Sequence, residues 1–284
     1  MKSAKRILAV LLCAALLISV LCACGKTAGT GADTNTNDDS IAQQLYDADV
    51  AAPDLTNATT ITLSGTDDVT ITDGGVYVLT GTLTDGRVLV NAPGADVTLV
   101  LRDADITCTD SSALYIYKAA NVLVYLPDGT ASTLTDGSSY DYGDSFSSAD
   151  DEEPNACLYA KSDLVIAGGG TLTVTGNANN GITGKDTLKI EGTAVNVTAA
   201  NHGINGKDCL VLKQADVTVT SGGDALRATN DSDSALGCIL IGASALTLTA
   251  GEDGIQAETT LTLFDTTGTI TSGCGSGGAL ADDV

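Results

Sequence analysis

Residues 180–186 read NGITGKD, and residues 202–208, 22 positions later, read HGINGKD. A third turn of this kind, DAL at residues 224–226, follows after another 22 positions, and a fourth, DGI at residues 253–255, follows after 29. The repeat also contains pairs of apolar residues that are separated by one residue, an alternation typical of a short, half-buried strand. The pairs that keep this spacing are Leu188/Ile190, Leu210/Leu212, Ile239/Ile241 and Leu261/Leu263.

This repeat predicts a solenoid. A fixed period in the twenties is typical of proteins in which each unit buries its apolar face only against its neighbours. The units hold two or three short strands between Gly, Asp and Asn turns, without a helical run or a leucine-rich signature. We therefore expect an all-β fold, a right-handed parallel β-helix with about 22 residues per rung and rungs about 4.8 Å apart. The 29-residue interval is one rung plus a polar loop at residues 230–234.

The beginning of the chain has the features of an export signal. Residues 1–23 carry a basic end and an apolar run that is short for a membrane span, which indicates a signal peptide. The sequence LCACG at residues 21–25 resembles a bacterial lipobox, with Cys24 as the lipidated residue. We therefore expect a lipoprotein on the extracellular face of the cytoplasmic membrane, held there only by its lipid anchor.

The remaining chain divides into two predicted parts. Residues 24–55 are poor in apolar side chains and predict a flexible tether, with a helical turn or two from Ile41 to Asp49. Residues 56–284 predict one β-helix domain, which we expect to be monomeric. Its acidic segment at residues 134–155 predicts a solvated surface loop, with a cation-collecting rim as the alternative. The Gly-rich break at residues 273–278 predicts that the β-helix is truncated.

Composition restricts the partners. The formal net charge is −23 and Trp is absent. So acidic a chain lacks the basic stripe that neutralises phosphates, which excludes a nucleic-acid partner. The same charge disfavours direct contact with an anionic polysaccharide but favours divalent cations, which can bridge two acidic surfaces.

Turn carboxylates provide the candidate metal site. Hard cations prefer oxygen ligands, and a solenoid places equivalent turn residues a few ångströms apart. Asp224 and Asp253 occupy the same turn position, so we expect them to share a Ca²⁺ ion, with a solvated acidic turn as the alternative. His202 has this position one rung earlier, and since imidazole is a poor Ca²⁺ ligand that rung should bind weakly. The predicted ligands are Asp224, Asp253, the intervening loop residues Asn230, Asp231 and Asp233, and, as weaker members, Glu258 and Glu252.

Two other residue sets recur along the rungs. Lys161, Lys185 and Lys207 stack, and we interpret them as exposed partners of neighbouring aspartates rather than as a row that binds sugar carboxylates. Cys209 and Cys238 face outward on adjacent rungs. Their parallel Cα–Cβ vectors make a disulfide awkward, so we expect free thiols.

Catalytic motifs are missing from the sequence. It has one His and neither an HExxH motif nor a phosphate-binding loop. Arg227 is the only candidate for the strong base that a uronate lyase requires. We therefore expect a protein that is not an enzyme, with a calcium-dependent lyase and a structural adhesin as alternatives.

Several motifs together resemble a known family, the carbohydrate-binding β-helix lipoproteins of anaerobic Gram-positive bacteria. The motifs are GVYVLTGTL at residues 75–83, TLTDG at 133–137, KSDLVI at 161–166, the NGI and HGI turns, and GEDGIQAE at 251–258. The resemblance implies a fold like that of pectate lyases, with Ca²⁺ bound by carboxylates of the turns. It also implies binding to cellulose or to pectin-type polymers such as polygalacturonate. Carried over, it supports Asp224 and Asp253 as calcium ligands, whereas Asn180, His202 and Ala225 depart from its Asp-Gly-Ile pattern.

Overall fold

Short apolar alternations form strands throughout residues 40–273, the part of the chain that our computed structural model describes. One helix, α1 (Ile41–Asp47), precedes the strands, and the Oγ of Ser40 caps it by accepting a hydrogen bond from the Gln43 amide (3.3 Å). Within these residues no helix is long and apolar enough to cross a membrane. The strands are β1 (Thr59–Leu63), β2 (Val69–Ile71), β3 (Gly75–Leu83), β4 (Val88–Asn91), β5 (Asp96–Cys108), β6 (Leu114–Lys118), β7 (Asn121–Leu126), β8 (Ala131–Asp136), β9 (Ala156–Ala160), β10 (Asp163–Gly168), β11 (Thr171–Gly176), β12 (Asn180–Gly184), β13 (Thr187–Glu191), β14 (Ala194–Ala199), β15 (Ile204–Gly206), β16 (Cys209–Lys213), β17 (Asp216–Ser221), β18 (Leu226–Ala228), β19 (Cys238–Gly242), β20 (Ala245–Ala250), β21 (Ile255–Ala257), β22 (Leu261–Phe264) and β23 (Thr267–Ser272).

All pairings between these strands are parallel, and the strands form three faces of a coil. An 8-stranded sheet, in the order β2-β4-β6-β9-β12-β15-β18-β21, is the first face. The long strand β5 pairs with β7 along its first half and with β8 along its second, so it divides a 15-stranded sheet into two further faces. The second face continues from β7 to β22 and the third from β8 to β23. The fold is therefore a parallel β-helix with three strands per coil, as the repeat predicted.

The register follows the sequence period. Ile182 pairs with Ile204, Ile204 with Leu226, and Leu226 with Ile255, so the four repeated turns lead into one stacked column. The apolar pairs of the second face stack in the same way, Leu188 on Leu210 for example. These inward side chains belong to one continuous core in which most residues are almost fully inaccessible to solvent. In the last described coil, Ile270 is half exposed.

The predicted tether is wrong for its last part, because residues 41–50 pack on the second face. Helix α1 covers Val211 and Leu240 and forms with them a second, small apolar cluster. Beyond the helix, Lys189 donates a hydrogen bond to the carbonyl of Ala48, and Lys213 forms an ion pair with Asp49. Burial of apolar side chains and ion pairing therefore hold a segment that its composition alone marked as flexible. Cys24 and the rest of the predicted signal peptide and tether lie outside the described residues, as do residues 274–284.

The outward cysteines also lie under α1. Cys209 and Cys238 are register partners on β16 and β19, both are buried, and their sulfur atoms are 2.8 Å apart. Both are free thiols in the structure.

The acidic segment after β8 folds back over the first face. Phe146 packs edge-on against Tyr117, and its carbonyl accepts a hydrogen bond from the Tyr115 hydroxyl (2.7 Å). Tyr115 in turn stacks edge-on with Tyr159 of the next rung. These aromatic side chains are packed against the protein, so they do not form an open sugar-stacking platform.

Candidate functional site

The repeated turns before the first face bring the candidate ligands together. The backbone N–H of Gly203 donates to the carbonyl of Asp224 (2.8 Å), and that of Ala225 donates to the carbonyl of Asp253 (2.9 Å). His202, Asp224 and Asp253 are thus stacked on three successive rungs. The Asp224 carboxylate also accepts a hydrogen bond at Oδ1 from the Asp253 backbone N–H (3.0 Å). Asp224 is buried and Asp253 is exposed.

One group of three metal-ligating side chains forms at these turns. The ligand atoms of His202, Asp224 and Glu252 all lie within 4.8 Å of one another. No other such group occurs in the described residues 40–273. Sequence reasoning named Asp224 and placed Glu252 among the weaker members, but it set His202 aside. The signal for the trio was the turn position itself, because His202 and Asp224 are 22 residues apart, which is one rung.

A guanidinium group already lies beside this trio. Nη1 of Arg227 is 3.5 Å from Oδ2 of Asp224 and contacts Nε2 of His202. His202 Nδ1 lies 3.2 Å from Oδ2 of Asp224. Burial lowers the pKa of His202, and the charge of Arg227 lowers it further, whereas Asp224 and Glu252 oppose this change. The imidazole is therefore neutral at neutral pH, and Arg227 is the positive charge that balances Asp224.

The polar loop does not contribute to this site. Asn230, Asp231, Asp233 and Glu258 follow β18 or β21, at the edge of the first face opposite to the one occupied by Asp224 and Asp253. The six residues from Asp224 to Asn230 run along an extended strand, a separation of up to about 20 Å. The loop residues and Glu258 are therefore not part of the group that His202, Asp224 and Glu252 form.

The loop uses its oxygen atoms for its own fold. Oδ1 of Asn230 accepts hydrogen bonds from the backbone N–H groups of Ser232 (3.0 Å) and Asp233 (3.3 Å). Oδ1 of Asp233 accepts from the N–H of Ala235 (3.0 Å). The Asn230 amide donates to Asp208 (2.6 Å). The turn chemistry of Asn and Asp, which stabilises loops locally, accounts for these residues.

The trio fits a hard cation only in part. Ca²⁺ takes six to eight oxygen ligands, and the carboxylates of Asp224 and Glu252 are suitable donors. Asp253, which the sequence predicted to share the ion with Asp224, contacts Asp224 through its backbone N–H, and its exposed carboxylate is not part of this group. The imidazole of His202 is a poor Ca²⁺ ligand, and the Arg227 guanidinium repels any cation. The residues that would hold Ca²⁺ are thus present, but two neighbours weaken the site.

Two lysines of the row, Lys161 and Lys185, form ion pairs with the acidic segment. Glu153, from the acidic segment, binds Lys161 (2.5 Å) and Lys185 (2.7 Å) with its two carboxylate oxygens. Burial alone would raise the pKa of Glu153, but hydrogen bonds from the two lysines outweigh it and lower the pKa to about 2. These lysines therefore anchor the acidic segment, which supports their interpretation as structural charges.

A second acidic depression lies at the N-terminal rungs, with a cavity volume of about 240 Å³. Arg87 lies at its centre, with Nε 3.1 Å from Oδ2 of Asp68 and a second ion pair to Asp144. Its Nη1 donates to the Oγ of Ser111 (3.1 Å). The buried guanidinium thus pairs with two of the lining aspartates, whereas Asp85, Asp110 and Asp141 also line the depression and leave it acidic.

Comparisons with known proteins bear on these observations. Residues 65–283 match a family model described as carbohydrate-binding domain-containing protein. A protein of this description from Acetivibrio thermocellus is 41% identical over 133 residues, which are 46% of this chain and 45% of the relative. The match thus spans under half of the relative's length. Among solved structures, the polysaccharide lyase-like protein from C. thermocellum, a gadolinium derivative, superimposes with a TM-score of 0.63 at 28% identity, covering 76% of this chain and 96% of that one.

Proposed function

The chain belongs to the family of carbohydrate-binding domain-containing proteins, and from this premise we propose that it binds acidic polysaccharide with the help of Ca²⁺. Polygalacturonate and related plant polymers are the proposed ligands, with cellulose as the neutral alternative. We propose that the protein acts as a monomeric lipoprotein at the cell surface, anchored through Cys24.

The stacked turn carboxylates are the observation that carries this proposal. The carboxylates of Asp224 and Glu252 lie together on two adjacent rungs, and the backbone N–H of Asp253 bonds to Asp224, in a chain whose formal charge is −23. Two anionic polymers repel each other, and a divalent ion held between them removes this repulsion. A row of rungs also offers an extended surface, as a polysaccharide requires. The relative solved as a gadolinium derivative has the same fold, and Gd³⁺, like Ca²⁺, is a hard cation that prefers oxygen ligands.

Retention on immobilised glycans tests the proposal. The panel includes polygalacturonate, its methyl ester and cellulose, each in Ca²⁺ and in chelator. We expect retention on polygalacturonate in Ca²⁺, loss of retention in chelator, and little retention on the methyl ester, which lacks the carboxylates. Equal retention on polygalacturonate in Ca²⁺ and in chelator would exclude the bridging mechanism while leaving glycan binding intact.

A lyase activity is the second candidate because the solved relative is described as polysaccharide lyase-like. The geometry argues against it. Arg227, the one candidate base, is ion-paired with Asp224 and therefore does not face an open substrate position. We therefore expect no unsaturated product when the protein is incubated with polygalacturonate and Ca²⁺. Product that disappears in Arg227→Ala would establish the enzyme instead.

A further inference from the structure

Three polar side chains on the outer side of the first face are incompletely satisfied. Asn205, Arg227 and Gln256 are register partners on β15, β18 and β21, so they form one column with about 4.8 Å between rungs. Oδ1 of Asn205, Nε of Arg227 and Oε1 of Gln256 are buried and have no hydrogen-bond partner within the described residues. A buried polar atom without a partner is unfavourable, and native proteins have few of them. Here two acceptors flank one donor, yet they are not joined.

At its other end, the Nη1 atom of Arg227 lies beside both His202 and Asp224. The backbone N–H of Asp224 donates to Nδ1 of His202 (3.0 Å), and Nη1 of Arg227 contacts Nε2 of the same ring. A neutral imidazole has only one acceptor nitrogen, so it cannot accept from both groups. In the tautomer with its hydrogen on Nδ1, His202 donates to Oδ2 of Asp224 (3.2 Å) and accepts from Arg227, whereas in the other tautomer only Asp224 attracts Arg227. In both tautomers Arg227 balances the charge of Asp224. The guanidinium thus lies against Asp224, one of the two carboxylates that would hold a cation here.

We propose that the Arg227 side chain competes with a cation for Asp224, and that it has an alternative position between Asn205 and Gln256. In the cation-free protein Arg227 neutralises Asp224. When a divalent ion binds Asp224 and Glu252, Arg227 turns away and its N–H groups satisfy the two buried amide oxygens on the neighbouring rungs. The cation affinity is thus set by the exchange of one positive charge for another. This inference rests on the proposed cation site and describes its regulation.

Removal of the competing charge tests the first half of the exchange. Arg227→Met keeps the length of the side chain and removes its charge. We expect its dissociation constant for Ca²⁺, measured by calorimetry, to fall about tenfold, since a unit charge a few ångströms from a divalent ion is strongly repulsive. Arg102→Met, on an exposed site of β5, changes the net charge equally and serves as the matched control, with less than a twofold effect.

Removal of the two amide side chains tests the alternative position of Arg227. In Asn205→Ala/Gln256→Ala the displaced guanidinium finds no acceptors, so we expect Ca²⁺ to bind several-fold more weakly than to the wild type. In the Arg227→Met background the same two substitutions should not change the Ca²⁺ affinity, because no guanidinium has to move to the amide oxygens. This non-additivity is the signature of the exchange, which a merely structural role of the two amides would not produce.

The outcomes separate this inference from the proposed function. An unchanged Ca²⁺ affinity in Arg227→Met, or Ca²⁺ binding detected in neither protein at millimolar concentration, would overturn the exchange. Retention on polygalacturonate is measured separately, so glycan binding that persists without the exchange would leave the proposed function standing. Thermal denaturation verifies that each variant folds, and Arg227→Gln replaces Arg227→Met if the latter does not.

Discussion

Replacement of His202 by aspartate should strengthen the proposed cation site. The variant places a third carboxylate at the turn position that carries Asp224 and Asp253 on the next two rungs. Oxygen replaces nitrogen beside the ion, and Ca²⁺ gains a charged ligand. We expect the dissociation constant for Ca²⁺ to fall about tenfold, which corresponds to about 1.4 kcal/mol.

The same substitution should destabilise the protein when no cation is bound. His202 Nδ1 is 3.2 Å from Oδ2 of Asp224, so a carboxylate there would face a like charge about 4 Å away, worth at most about 4 kcal/mol at an effective dielectric constant near 20. Arg227 offsets part of this repulsion, and solvent screens another part, which leaves about 1–2 kcal/mol. Saturating Ca²⁺, at 100 times its dissociation constant, would add about 2.7 kcal/mol. His202→Asp should therefore be less stable than the wild type in chelator and at least as stable in Ca²⁺.

Urea unfolding in chelator and in Ca²⁺, together with calorimetric titration, measures both effects. His202→Asn is the matched control, because it supplies an oxygen without a charge, as Asn180 does one rung earlier. Its Ca²⁺ affinity should lie between those of the wild type and His202→Asp. If His202→Asp bound Ca²⁺ no more tightly than the wild type, the turn column would not be the cation site.

Two further predictions concern the framework around the site. Gly203→Ala should destabilise the protein by about 1–3 kcal/mol in urea unfolding, because an added Cβ would lie 2.3 Å from Cγ1 of Val219 and 2.6 Å from the carbonyl of Ala225; an unchanged midpoint would contradict the tight turn. Glu153→Gln should weaken the attachment of the acidic segment by roughly 1–2 kcal/mol at pH 7, reduced from the full pKa shift because its lysine partners are about one-third exposed. Since the pKa of Glu153 is lowered, this contribution is present above its ordinary value near 4.5 and disappears as the pH falls towards 2. Hydrogen exchange of residues 137–155 in both proteins measures it, and equal protection at pH 7 would refute it.

The repeat was sufficient to predict the coil. Stacking of Ile182 on Ile204 and of Leu188 on Leu210 is a direct consequence of the 22-residue spacing, because a one-rung shift is the only register that keeps every apolar side chain inside. The 29-residue interval was also interpreted correctly. Cys209 and Cys238, 29 positions apart, are register partners despite the inserted loop.

The contacts of the excursions could not be predicted in this way. Glu153 lies in a segment without periodicity, so nothing in the sequence indicated that it would return to Lys161 and Lys185. The packing of α1 could not be predicted either. Val211 and Leu240 form an apolar patch on the outside of the second face, and the structure shows that α1 covers it. Periodicity indicates which residues face the inside of a solenoid, because every rung needs apolar side chains at the same inward positions. It carries no information on what covers the outer side.

The proposed cation site shows why proximity along the sequence is a poor guide to proximity in a coil. Asn230 is only 6 residues from Asp224, whereas His202 is 22 residues away and Glu252 is 28. A strand of the first face lies between Asp224 and Asn230 and holds them at opposite edges, while coiling returns His202 and Glu252 to the side of Asp224. A cation site on this fold must therefore be assembled along the axis of the coil, from the same turn of consecutive rungs. The cation affinity of such a site then depends on one residue per rung. His202 lacks a side-chain oxygen and lies between Asn180 and Asp224, so it limits how far the site extends along the column.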